Sequence, residues 1–123
     1  MSELLCQSER SLIFKEQNSE LDKSIIWKVC GHSTNDIAEL ENEFTITNSL
    51  AIDGVRKSIK RGVFQNQEAF AYDFIEGIPL SDLITKGQMD PQLVYSISLQ
   101  TVQILKQLHQ AGIYHLRLNP ANI

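Results

Sequence analysis

The chain has 123 residues, 42% of them hydrophobic and 21% charged, with a formal net charge of −4. That suits one globular domain able to bury roughly two thirds of its unfolded surface, and the acidic balance argues against nucleic acid or an anionic membrane as the main partner, because both reward a clustered basic face. No apolar run approaches the roughly 18 residues of a membrane span, and the two cysteines, Cys6 and Cys30, with no signal peptide ahead of them, read as reduced thiols of a cytoplasmic protein.

Residues 4–7 and 11–15 are short strand-like runs with a turn between them, and the polar segment 16–23 reads as a connecting loop. "SIIWKV" (24–29) is the strongest strand signal, rich in β-branched and aromatic residues. "GHSTND" follows, with several candidate helix caps, and then Ile37, Leu40, Phe44, Thr47 and Leu50 recur at helical spacing. That pattern predicts an amphipathic helix with Asp36 and Glu39 in its first turn. "VRKSIKRGVF" and "EAFAYDFI" are two further strands joined by "QNQ". The basic cluster Arg56, Lys57, Lys60 and Arg61 reads as a solvated strand end.

Composition changes at "EGIPLSDLITKGQ", a linker opening a short helix that Ser81 can cap and Gly87 can end. Asp90 and Pro91 are cap and first-turn proline of a longer helix whose apolar stripe is Val94, Ile97, Ile104, Leu105 and Leu108, stopped by Gly112. Adjacent strands with a single inserted helix predict an α+β architecture, an antiparallel sheet with a helix packed on it. His32, His109 and His115 are scattered, and neither cysteine lies at metal-ligand spacing from them, so no zinc site is expected.

The closing "YHLRLNPANI", taken with this order of elements, resembles the protein kinase fold: a five-stranded N-lobe over residues 1–75, then a hinge exit and the start of a C-lobe over 76–123. The tail is similar to the catalytic loop H-R-D-L-K-P-x-N, with His115, Leu118, Pro120 and Asn122 on matching positions and Leu116, Arg117 and Asn119 departing. A nearer likeness is to the kinase-like modules at the N-termini of bacterial multi-domain sensor and hybrid histidine kinases, where an Asn before the Pro is normal. Lys28 in "IIWKV" matches the strand lysine that holds nucleotide phosphates, and Glu43 matches the helix glutamate that orients it. Tyr72 falls at the gatekeeper and Asp73, Phe74 and Ile75 at the hinge.

The resemblance implies ATP with magnesium as the ligand, held through Lys28, Glu43 and the main chain of Asp73 and Ile75, with Asn122 at a magnesium position. Each has a plainer alternative: a solvent-exposed lysine at 28, core packing with a hydroxyl in water at 72, and a packed structural histidine at 115. Two features weaken the implied site. The turn "QSERS" has no glycine to bring backbone N–H groups against phosphates, and Arg117 stands where the base aspartate would be, although arginine cannot accept a proton. The D-F-G aspartate would come after Ile123. The reading is a regulatory, pseudokinase-type module with weak nucleotide binding. Its alternatives are a fragment of an active Ser/Thr kinase and a protein-interaction module with a vestigial pocket. Apolar residues of the last helix left uncovered, such as Leu93, Leu99 and Val102, lead to an expected partner: other domains of a longer signalling protein, or a second copy through residues 94–108.

Overall fold

A computed structural model of the chain describes residues 2–7, 11–30 and 34–123. Strands β1 (Ser2–Gln7), β2 (Ser11–Asn18), β3 (Lys23–Cys30), β4 (Ser58–Phe64) and β5 (Gln67–Asp73) form one sheet in the order β1-β2-β3-β5-β4, every neighbouring pair antiparallel. Helix α1 (Thr34–Ser49) falls between β3 and β4 in the chain. Helices α2 (Leu80–Thr85) and α3 (Pro91–Gln110) follow β5, and a 3-10 turn spans Pro120–Asn122. This is the α+β architecture that the order of elements predicts. Two compact units result: Met1–Ala51 with Arg56–Ile75, and Ile52–Val55 with Glu76–Ile123.

In the first unit β3 is the central strand, paired on one side with β2 and on the other with β5. A strand covered on both faces must be apolar on both, which is why Ile25, Ile26 and Trp27 run consecutively and are all buried. On one face Ile25, Trp27, Val29, Ala69 and Ala71 pack with Leu12, Phe14, Ile59 and Phe64. The indole of Trp27 stacks on Phe64 with centroids 5.7 Å apart. Gly62 leaves room for it, since a Cβ there would meet Trp27 Cη2 at 3.3 Å. On the other face Ile26, Phe70 and Tyr72 meet Leu40 of α1, with Ile13, Cys30, Phe44 and Phe74 around them. The apolar stripe of α1 is thus what seats the helix on the sheet.

The boundaries differ from expectation where polar residues have partners. Glu16, Gln17 and Asn18 belong to β2, paired with Ile25, Ser24 and Lys23, and are not a loop. Side-chain bonds make the polar stretch a strand: Glu16 Oε2 accepts from Trp27 Nε1 at 2.6 Å, and Ser24 Oγ donates to Gln17 Oε1 at 2.9 Å. Residues 55–57 precede β4 rather than open it, and Phe74 and Ile75 lie beyond β5. Asp36 is in the first turn of α1, whereas Glu39 lies past it. The β4–β5 hairpin turns on Gln65 and Asn66, at φ +51° and +64°, the two left-handed residues that a two-residue hairpin loop requires. The glycine-free turn at Ser8, Glu9 and Arg10 and the helix-entry patch at Gly31, His32 and Ser33 lie outside the described residues.

In the second unit Ser81 does not cap α2. The cap is Pro79, without a side-chain bond, and Ser81 sits inside the helix, where its carbonyl accepts from Thr85 Oγ1. Gly87, at φ +66°, ends that helix. Asp90 caps α3, its Oδ1 accepting from Leu93 N at 2.8 Å, and Gly112 at φ +77° lies just past the end of the helix. Of the stripe, Leu108 is buried, Ile97, Ile104 and Leu105 are half-buried, and Val94 is exposed instead. Leu93 is half-buried rather than exposed, while Leu99, Val102 and Tyr95 do face solvent. Loop Ile52–Val55 packs with this unit, and Gly54 there, at φ +92°, lies where an added Cβ would overlap the α3 side chain Ile104. Among the described residues no helix is long and apolar enough to cross a membrane.

Candidate functional site

Alternation along β3 places Ile26, Lys28 and Cys30 on the face that α1 covers. A lysine there needs a counter-charge, and α1 supplies one: Lys28 Nζ lies 2.5 Å from Glu43 Oε1. The lysine side chain is only 19% exposed and the glutamate 43%. Lys28 is therefore not the solvent-exposed lysine of the plainer reading. Its ammonium also stands 5.0 Å from the centroid of the Tyr72 ring. The register makes the three residues neighbours, because Lys28 pairs with Phe70 and Ile26 with Tyr72, so Tyr72 is diagonal to Lys28 on one face.

Tyr72 is 1% exposed, and its hydroxyl has no hydrogen-bond partner. The water expected at that hydroxyl has no access to it. Burial pushes the phenol above its ordinary pKa, and the nearby Glu43 charge pushes it further the same way. The carboxylate also approaches the phenol as an acceptor, which raises the pKa further, although the contact falls short of a formed hydrogen bond. Arg56 completes the group. Desolvation lowers its pKa although the residue as a whole is exposed, while Glu43 and Tyr72 pull it back up. Arg61, from the same basic cluster, is paired with Glu41 of α1 and Glu68 of β5. Arg56, Lys57, Lys60 and Arg61 are all exposed, so the basic cluster is solvated as expected, with Arg61 ion-paired at the surface. Sequence reasoning missed Arg56 at this site, because it precedes β4 and no periodicity assigns it a face.

At the hinge position Asp73 still belongs to the sheet: its N–H donates to Lys57 O at 3.0 Å and its carboxylate accepts from Lys23 Nζ. Phe74 N–H donates to Ser24 O, so Ile75, 54% exposed, carries the first main-chain amide beyond that ladder.

The closing loop gathers its residues around one carbonyl. Asn119 Nδ2 and Asn122 Nδ2 both donate to Arg117 O, at 3.1 and 2.9 Å, and Asn119 Oδ1 accepts from Ala121 N. The loop is tied to α2 by Leu80 N donating to Ile123 O at 2.8 Å. His115 is exposed and accepts from Arg117 N at Nδ1, so it is not packed. Leu116 is 91% exposed at φ +63°, a costly conformation for a leucine. From Pro91 onward the sequence contains no Asp or Glu. Magnesium is ordinarily held by carboxylates and phosphate oxygens, so Asn122, one neutral oxygen in an acid-free segment, does not make a magnesium site by these residues alone.

Comparison with solved structures decides the fold. The kinase domain of Mycobacterium tuberculosis PknI matches with a TM-score of 0.74 at 20% identity, over 96% of this chain and 50% of that one. PpkA in its apo form matches at 0.84 and 13% identity, over 98% of this chain and 52% of that one. The fold is protein-kinase-like. Rad53 in complex with AMP-PNP gives 0.78 at 19% identity, over 97% of this chain and 32% of that one. The chain spans about half the length of the first two kinases. No family model and no curated protein matches the sequence. Within a kinase-like N-lobe, Lys28 and Glu43 occupy adjoining elements, and the ion pair between them is the feature on which a functional reading can rest.

Proposed function

We propose that the chain is a kinase-like regulatory module, of the pseudokinase type, in a cytoplasmic signal-transduction protein, with weak nucleotide binding and no phosphoryl transfer of its own. The Lys28–Glu43 pair carries the nucleotide half of this reading. A lysine held by a helix carboxylate is the arrangement that a kinase uses to present an ammonium to phosphates. The Ile75 amide and the Asp73 carbonyl would meet the adenine edge. The loop carries the other half. Arg117 at the base position accepts no proton, and the segment from Pro91 onward offers no carboxylate in its place. The loop sequence also supports kinship with the N-terminal modules of bacterial sensor and hybrid histidine kinases. ATP, when bound with magnesium, would supply the phosphates that Lys28 holds.

Thermal unfolding with AMP-PNP and magnesium tests the reading. A ligand at 100-fold its dissociation constant adds about 2.7 kcal/mol, and Lys28→Met should abolish that gain. No shift in the parent chain would favour an interaction module with a vestigial pocket. A fragment of an active Ser/Thr kinase is the second reading, favoured by the half-length match to kinase domains. Phosphotransfer assays of the parent and of Arg117→Asp, each in the longer protein, separate it: transfer by the parent would establish activity and remove the pseudokinase assignment.

A further inference from the structure

Lys28 and Arg61 are both paired in register with Phe70, from the strands on either side of β5. Directly paired residues point to the same face of a sheet, so the two cations flank Phe70 in one row on the face that α1 covers. Arg61 also lies against that ring, its guanidinium carbon 5.6 Å from the centroid. Helix α1 matches the row position for position. Its apolar residues Leu40 and Phe44 pack into the same cluster as Phe70, the Phe44 and Phe70 centroids 5.3 Å apart. Glu41 and Glu43 lie about 80° round the helix from the middle of that stripe, one on each side of it. Glu43 Oε1 meets Lys28 Nζ at 2.5 Å, and Glu41 Oε1 accepts from Arg61 Nη1 at 2.6 Å. Glu68 of β5 braces the arginine from the sheet, accepting from Arg61 Nε at 2.7 Å.

We propose that Arg61 is a positioning residue for Glu43: by holding Glu41 on the opposite flank of α1, it fixes the rotation of the helix that keeps Glu43 turned toward Lys28. Apolar burial is non-directional, so a stripe of two side chains seats the helix without fixing its roll. One ion pair on one flank would leave the helix free to pivot about it. Two pairs on opposite flanks oppose each other, since a roll that relaxes one stretches the other. The guanidinium suits this task because its planar fork reaches Glu41 and Glu68 at once, whereas an ammonium offers no such fixed fork. The side chains of Arg61 and Glu41 are 48% and 50% exposed. Exposed pairs add little to global stability, so the effect of Arg61 belongs to the placement of α1 rather than to the melting of the unit. The consequence for a ligand rests on the nucleotide reading above, but the clamp on α1 does not.

Amide hydrogen exchange reads the clamp without any ligand. In Arg61→Gln and in Glu41→Gln the amides of residues 40–48 are expected to exchange about two- to fivefold faster, the weight of one exposed ion pair, while those of β3 keep their rates. The double variant should match either single one, because both remove the same contact. Arg61→Glu, which repels Glu41, should exchange faster still, and adding Glu41→Arg should return the rates to within about twofold of the parent. Unchanged rates in Arg61→Gln overturn the proposal. So does an equal acceleration of β3 and α1, because the arginine would then support only the stability of the unit. Glu68→Gln matching Arg61→Gln while Glu41→Gln is silent overturns it as well, since Arg61 would then serve only the β4–β5 pair. In a second arm AMP-PNP with magnesium is titrated into each protein. Arg61→Gln is expected to raise the dissociation constant about two- to fivefold, and the charge reversal to restore it. An unchanged constant counts against the proposal, whereas a parent that binds no nucleotide overturns the nucleotide reading and leaves hydrogen exchange to decide this one.

Discussion

At the scale of single residues the first unit is organised by polar groups set against an apolar sheet. Trp27 is buried among aromatic neighbours, and its one polar atom finds Glu16 on the adjoining strand. Glu16→Ala should therefore destabilise the chain by about 1–2 kcal/mol, because the indole N–H loses its acceptor. Glu16→Gln, which keeps an oxygen at the same reach, should cost less than half of that. Urea unfolding of the two variants checks the ordering. Tyr72 forms no such bond, and the consequence is alkaline. Its folded pKa lies above the ordinary value, so the stabilisation from the neutral phenol is complete below about pH 10 and is lost as pH rises through the unfolded and then the folded pKa. Tyr72→Phe should flatten the fall in Tm between pH 9 and 11, and an equal fall in both proteins would refute the assignment. Lys28, Glu43 and Tyr72 were all legible in the sequence as residues of interest, because the order of elements puts them in register. The empty hydroxyl was not legible. Whether a tyrosine on an apolar face reaches water depends on how Leu40 and Phe44 of α1 close over it, and no pattern of residue types encodes that distance.

At the scale of elements, strands and helices were readable wherever apolar residues recur with a fixed period, as in β3, α1 and α3. They were misread where pairing made polar residues regular, as in Glu16–Asn18, and where a cap was assigned on residue type alone, as at Ser81. Turn chemistry offers the sharpest tests. Gln65 adopts φ +51° in the β4–β5 hairpin, a conformation that asparagine and glycine accept more readily than glutamine. Gln65→Gly or Gln65→Asn is expected to stabilise the chain by about 0.5–1 kcal/mol, visible as a higher urea midpoint at unchanged slope. Gly54 runs the other way. At φ +92° it is already unsuited to other residues, and a Cβ would lie 2.4 Å from Ile104 Cδ1. Gly54→Ala should therefore cost about 1–3 kcal/mol, and Ile104→Val in the same chain should recover part of the steric share. No recovery would mean that the backbone conformation alone sets the cost.

At the scale of the whole molecule, charge and apolar exposure are unevenly shared along the chain. Lys106 and Arg117 are the only Lys or Arg residues from Pro91 onward, and no acid accompanies them, so the net negative charge resides on the residues before. The same segment exposes Tyr95, Leu99 and Val102 along α3, three apolar side chains at helical spacing. We expect the isolated chain to self-associate through this helix, and sedimentation velocity over a concentration series reads it directly. Salt then separates two physical causes. An attraction between the acidic part of one copy and the cationic segment of another is screened as ionic strength rises, with a Debye length of about 10 Å at 0.1 M falling to about 3 Å at 1 M. A contact made by burying Leu99 and Val102 is not weakened by screening, and sulfate should strengthen it. Dimerisation that persists or tightens in sulfate, and is abolished by Leu99→Glu with Val102→Glu, assigns the contact to the apolar face of α3. A chain that sediments as a monomer at every concentration, with a cooperative melt, would show that this face needs no cover, and the self-association reading would be withdrawn.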